Sequence, residues 1–501
     1  MDKHTLGNYG WIIVTTIIII ILITIASPAG AYFGRAFTSI ADEFSEQVAE
    51  GTDGAIVIET PPLSTDELQK KYSFEYYSTI HKAVADVNNN EIGANADAEK
   101  SNAVVGVYVQ DETPCVVMLN SASYTERVTV SSDMIINLGG NVLSFANSLA
   151  GIDTVQYTNE DEGNNIVIDG RLAGSKIELT ATGSNPIYAM QVRDYNNLLM
   201  KGGTVTAKSS TGRIRVFNGG SNTSVTVSDC NIEASTSSGL IIAVFFGTNA
   251  NGDVVNSTIN ATSTTSEVRG IDYDSLSNGN VTNCVITTAS QHNRSIGIYH
   301  ASTGNISNCT INADSAYSSD SDSFACYGIY LADNANINVL DSDVQGVHSG
   351  ICSNGILNIV GGTYKGFAHG GIYFAGANTV SYVKNATIKE IENYQGIYTV
   401  NEDESSKAGF YIGGANNNDV SVYMDNCNIF GSKYPFVLRG TSGEVNNSLY
   451  ISNSNINLDY AEGIRIDGST HKLFIGKGCN FTPNDTTAPS YAFETNEVYI
   501  K

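Results

Sequence analysis

Charge is scarce in this chain. Only 15% of its 501 residues are charged, and the 51 acids outnumber the 26 lysines and arginines. A net charge of −25 argues against nucleic acid and against anionic membrane surfaces as partners. The shortage is complete from Thr5 to Gly34, where no charged side chain occurs. This stretch, almost wholly apolar between Trp11 and Ile25, is long enough as a helix to cross a hydrocarbon layer of about 30 Å. Lys3 precedes it, and Asp42, Glu43, Glu46 and Glu50 follow. Positive-inside bias then predicts a single-pass helix in the cell membrane with everything after it extracellular. The rival reading is a cleaved signal ending at Ala29-Gly30-Ala31, which would secrete the chain.

What the chain has in abundance is Gly, Asn, Ser and Thr, arranged in two alternating phrases. Between Val268 and Asp314 it reads V-R-G-I-D-Y-D-S, G-N-V-T-N-C-V-I-T, S-I-G-I-Y-H-A-S and G-N-I-S-N-C-T-I-N. The Gly-Ile phrase returns at Gly270, Gly297, Gly328, Gly350, Gly371, Gly396 and Gly463, the first six at spacings of 27, 31, 22, 21 and 25 residues. The Asn-Cys phrase has cognates at Val225, Leu357, Val422 and Leu449. A unit of this length, made of short β-branched runs between turn residues, predicts a solenoid of β-coils.

The I-x-N-C-x-I coil, repeated from about Val104 to Ile475, resembles the right-handed parallel β-helix repeat family, the pectate-lyase-like superfamily. The resemblance implies an all-β, right-handed parallel β-helix (solenoid) with an N-terminal transmembrane helix and a short capping helix. Tyr77, Ile80, Val84 and Val87 recur at helical spacing and place that cap. The predicted layout is a membrane anchor and stalk (1–50), a linker (51–70), a capping helix with the first strands (71–125), β-helix repeats (126–482) and a C-terminal cap (483–501). The linker reading rests on Gly51, Gly54, Pro61 and Pro62. At the start, K-H-T-L-G-N-Y-G-W and A-S-P-A-G-A-Y-F-G look like a pilin-like leader of Gram-positive surface proteins, without the Glu usual early in such helices.

Cys230, Cys284, Cys309 and Cys427 share one slot of the repeat. Stacked slots hold side chains parallel, so these cysteines are expected to remain thiols. The residue two after the repeat glycine runs Asp272, Tyr299, Tyr330, Cys352, Tyr373 and Tyr398, with Tyr411 a further candidate. Strand alternation turns this column outward, so Tyr299, Tyr330, Tyr373 and Tyr398 are the predicted ligand-binding stripe, exposed and suited to sugar rings. The bland reading is that the tyrosines pack on one another. His348 and His369 sit two residues before their glycines and are expected to stack, with Tyr394 next in line. Asp272 and Asp274 are expected to point the same way beside Arg269, a carboxylate pair for acid/base work, or an ordinary solvated edge. Acidic loops at Asn159, Asp320 and Asp322 are candidate calcium sites, the stacked His348 and His369 could ligate a metal, and N-E-D-E-S from Asn401 reads as a loop thrown out of the coil; no other cofactor is expected.

Enzymes of the resembled superfamily carry further marks. A polygalacturonase-like site implies N-T-D, an Asp-Asp pair, G-H-G and R-I-K. This chain has no Asp-Asp dipeptide, A-H-G-G at Ala368 and R-I-D at Arg465. The expected function is therefore a non-catalytic surface adhesin or glycan-binding protein. An extracellular polysaccharide lyase or glycoside hydrolase using Asp272, Asp274, His348 and His369 is the alternative, and a structural part of a surface appendage is a third. The expected partners are a polysaccharide or cell-surface glycan, and the membrane through the N-terminal helix.

Overall fold

The computed structural model describes residues 61–482, apart from 160–162, 316, 320–324, 377–378, 392–396, 400–407, 415–418, 432–433, 441–446, 458–464 and 468–470, together with a strand at Val498–Ile500. The chain divides into two units, Met1–Val57 and Ile58–Lys501. The predicted membrane helix and the acidic loop at Asn401 lie outside the described residues. Among the described residues no helix is long and apolar enough to cross a membrane.

The second unit is a parallel β-solenoid. One coil runs Val268–Tyr273, Asn278–Thr282, Val285–Ser290, and the next begins at Ser295–His300. Its three strands belong to three long sheets, called here third, first and second in that order, of thirteen, seventeen and fourteen strands. Pairing is in register from coil to coil, as in Ile271 with Ile298 and Ile298 with Ile329. The Gly-Ile phrase is the third-sheet strand. The Asn-Cys phrase is the corner between the first and second sheets.

Many of these corners turn on one left-handed residue: Asp229, Asn256, Asn283, Asn308 and Asn426 all have φ between 50° and 58°, while Gly202-Gly203 and Gly361-Gly362 supply two. Asn and Asp tolerate that region best after glycine. The corner residues also bond between coils, Asn283 Nδ2 donating to Asn256 Oδ1 at 3.2 Å. The following thiol closes the corner, Cys284 Sγ reaching the carbonyl of Thr282 at 3.2 Å and Cys309 Sγ that of Ser307 at 3.2 Å. Where a coil has Ser257, Ser342 or Ser454 instead, the hydroxyl makes the same bond at 2.7–2.8 Å. None of the eight cysteines forms a disulfide.

Inside, Val, Ile and Leu ladders fill the coils, interrupted by aromatic side chains, with Phe374, Phe410 and Phe436 in the later coils. Phe246, Tyr273 and His300 stack at 4.5 and 4.3 Å between centroids. The glycines that open the Asn-Cys phrases make room for them. A Cβ at Gly252 would meet the Phe246 ring at 1.9 Å, and one at Gly279 the Tyr273 ring at 2.4 Å.

Among the described residues two short helices precede the coils. Helix α1 (Thr65–Lys71) begins within the stretch read as a linker. Ser64 and Glu67 form a reciprocal capping box that starts the helix. Helix α2 (Ile80–Asn88) is the expected cap, burying Ile80, Ala83, Val84 and Val87 against the first coil strands Thr113–Met118 and Val128–Val130. Tyr77 is not part of it. It ends the strand Glu75–Tyr77, which pairs antiparallel with Val105–Gln110. At the other end, Val498–Ile500 pairs with the strand Lys472–Ile475.

Candidate functional site

The repeat glycine of the third sheet decides which side chains face out. In Val268–Tyr273 burial runs inward at Val268, outward at Arg269, and inward again at Ile271 and Tyr273. Gly270 resets the alternation, and a Cβ there would stand 2.5 Å from the Gly297 carbonyl. The outward pair is thus Arg269 and Asp272, three residues apart. Arg269 Nη1 donates to Asp272 Oδ2 at 2.8 Å and Nε to Glu267 Oε1 at 2.7 Å, while Arg294 Nη2 reaches Glu267 Oε1 at 3.0 Å.

Asp272 is buried, not part of a solvated edge, and burial pushes its carboxyl up although Arg269 opposes the shift; Asp274 lies near enough to add to the rise. Burial pushes Glu267 the same way, but Arg269 and Arg294 outweigh it and hold Glu267 below its ordinary value. Asp274 lies beyond the strand, in the turn, where Oδ1 accepts from the Ser275 amide at 2.8 Å. The two carboxylates are neighbours with different hydrogen-bond partners.

The tyrosine stripe is real in part. Tyr299 pairs with Tyr330, then Cys352 and Tyr373 follow in register. The next partner is Tyr411, not Tyr398. Tyr398 lies in the short strand Ile397–Thr399, which pairs with Tyr317–Ser319 outside the three main sheets. Two insertions, leaving the solenoid after Ser315 and after Glu390, meet in that ladder beside the third sheet.

The exposed stripe expected for sugar stacking is also corrected. Tyr299, Tyr330 and Tyr373 are half-buried and pack on Ile296, Ala325, Tyr327 and Cys352. Tyr299 and Tyr330 lie parallel at 5.4 Å, and Arg269 covers the Tyr299 ring from 4.4 Å. With its faces taken, Tyr299 offers a ligand only its edge and hydroxyl.

His348 and His369 meet as expected. His369 Nδ1 lies 2.6 Å from His348 Nε2, with the rings tilted at 65°. Tyr327 contacts His348, and Tyr373 and Tyr411 contact His369. Burial holds His348 well below its ordinary value, and His369 adds to the effect. Tyr394 lies outside the described residues, as do Asp320 and Asp322. Among the described residues no group of three or more His, Cys, Asp or Glu converges as a metal site.

Two features escaped sequence reasoning. Eight of the ten arginines, Arg127, Arg193, Arg213, Arg215, Arg269, Arg294, Arg439 and Arg465, lie in third-sheet strands or immediately beside them, and those strands contain no lysine. Arg127 and Arg193 share the buried Asp153, at 2.8 and 2.7 Å. The second feature is an aromatic ladder outside the first sheet, Tyr382, Tyr423, Tyr450 and Phe474, stacked at 5.3, 4.5 and 4.4 Å. Its signal was S-Y-V-K, V-Y-M-D, L-Y-I-S and L-F-I-G, with an aromatic residue in one slot of four coils.

Two small recesses among the described residues lie off the third sheet, one lined by Leu63, Leu68 and Tyr108, the other by Thr236, Thr262 and Gln291. No family model, curated protein or solved structure matches the chain.

Proposed function

We propose that this chain is a membrane-anchored, extracellular β-solenoid that binds a polymeric glycan along the outer face of its third sheet without cleaving it. The observation that carries the reading is the gathering of guanidiniums and tyrosines along one sheet of a chain whose acids outnumber its lysines and arginines. Guanidinium groups and tyrosine hydroxyls are donors suited to sugar oxygens. A surface built from many coils suits a ligand that is itself a repeat. Recognition then runs through ring edges and hydrogen bonds rather than through stacking on tyrosine faces. The likeness of the coil to pectate-lyase-like β-helices and of the first residues to pilin-like leaders agrees with display at a cell surface.

Asp272 favours a second reading. A buried carboxyl raised beside an arginine is the kind of group that donates a proton in glycoside hydrolysis. One experiment separates the two: the full chain is incubated with a polysaccharide panel, and both retention and release of reducing ends are measured. Retention without release is the expected result. Release that disappears in Asp272→Asn would replace binding with catalysis, and absence of retention on every polysaccharide would end the glycan reading.

A further inference from the structure

On the third sheet Arg215 is a partly buried cation with no carboxylate at ion-pairing distance among the described residues. Arg215 lies over Phe245, its guanidinium carbon 3.7 Å from the ring centroid. Nη1 donates to Asn218 Oδ1 at 2.6 Å, and the buried Nε has no hydrogen-bond partner. Asp272 and Asp274 act on Arg215 only from beyond ion-pairing distance, and burial pulls its pKa below the ordinary arginine value, with Arg213 adding to the effect. Other arginines of this face are answered, Arg193 by Asp153, Arg269 and Arg294 by Glu267. A largely desolvated guanidinium costs free energy unless an anion meets it. A chain with 51 acidic residues does not lack carboxylates to place there.

We infer that Arg213 and Arg215, backed by Asn218 and Phe245, form a subsite for an oxyanion carried by the glycan, the carboxylate of a uronic acid or a sulfate ester. The inference rests on the glycan-binding reading above. Phe245 fixes the plane of the guanidinium fork and Asn218 holds one corner, leaving other donors for two ligand oxygens. Arg213, exposed two residues earlier, adds charge of the same sign. Arg215 and Arg269 share one outward column, with Ile242 between them, so they stand two coils or about 10 Å apart. Arg269 is neutralised by Glu267 and Asp272. Selection for charge therefore falls on Arg213 and Arg215.

The full chain, solubilised in detergent, is run on native affinity gels cast with a neutral glucan, a uronic-acid polymer or a sulfated glucan. The expected result is retardation in at least one acidic gel, weakened by added salt. Arg215→Gln should lower the affinity there roughly tenfold, the scale of a charge-assisted hydrogen bond. Arg213→Gln should lower it less. The acidic gel that retards the chain identifies the source of the oxyanion. Retardation by neutral glucan alone, or acidic binding untouched in both variants, overturns the subsite and leaves glycan binding standing. No retardation in any gel overturns both. Melting temperatures are measured alongside; if Arg215→Gln melts early, Arg213→Gln at its exposed position decides.

Discussion

The first and third sheets are made by the same coils, yet their outer faces follow different rules. On the first sheet like stacks on like. Asp253, Asn280, Asn305, Asn338 and Asn358 pass a side-chain hydrogen bond from coil to coil at 2.9–3.1 Å, and the aromatic ladder takes over at Tyr382. On the third sheet the bonds cross between columns, as Arg269 does to Glu267 and Asp272. The same column changes from Asp272 to Tyr299 to Cys352. In-register pairing rewards repetition, so a face that gives repetition up is answering something other than its own stability. The two insertions that meet at Tyr317–Ser319 leave the solenoid beside that face as well.

The regular part should be the harder to perturb without loss of the fold. Cys284→Asp places a carboxylate in a buried corner slot and should cost about 4 kcal/mol or more, read as a collapse of the melting temperature. A variant that melts like the parent would mean the corner is open to water.

Acid probes the coils through the third sheet. Burial pushes His300, the inward last residue of Ser295–His300, down to about 3, and His348, just before Ser349–Ser353, is held well below its ordinary value. The unfolded chain gains these protons below about pH 6.5, so stability is full above that pH and falls as pH drops through it. His300 should remove about 2 kcal/mol by pH 5, at about 1.4 kcal/mol per unit, and His348 adds to the loss in the same direction. His300→Phe, which extends the Phe246–Tyr273 stack, should lessen the loss of melting temperature between pH 7 and pH 5. An unchanged loss would place the acid sensitivity elsewhere.

Smaller effects sharpen the contrast. Tyr330→Ala should cost about 1.5 kcal/mol of stability, because the ring is half-buried, and should also weaken retention on polysaccharide. Lost stability with unchanged retention would reduce the tyrosine column to packing. Asn305→Ala removes a link of the first-sheet ladder and should cost about 1 kcal/mol with retention untouched. Weakened retention in that variant would move the binding face to the first sheet.

Much of the fold was legible because coil corners need particular residues. Asn283-Cys284 and Asn308-Cys309 announce a left-handed turn followed by a small donor, and the β-branched pairs after them announce a strand. The cap helix was legible from its apolar spacing, whereas S-T-D-E at Ser64 was passed over because two prolines before it suggested a linker. The site was less legible. Alternation by two would put Arg269 and Asp272 on opposite faces, but Gly270 shifts the count and brings them together, while Asp274 already lies past the strand end. Gly396-Ile397 imitates the repeat, and only pairing shows that Tyr411 continues the column. The grouping of arginines depends on which strands share a sheet, which spacing alone does not reveal.

The corners closed by thiol and hydroxyl bonds have a consequence for how the chain comes to be folded. No S–S bond has to form, so no oxidant and no isomerase sets the pace, and no wrong pairing can trap a half-made coil. Each coil leans only on its immediate neighbours. Helix α2 and the strands it covers precede the other coils in the chain and offer a finished edge to the coil that follows. A polypeptide of this kind can be threaded through a narrow channel as an extended chain and wind up on the far side, one turn after another, in the order its residues emerge.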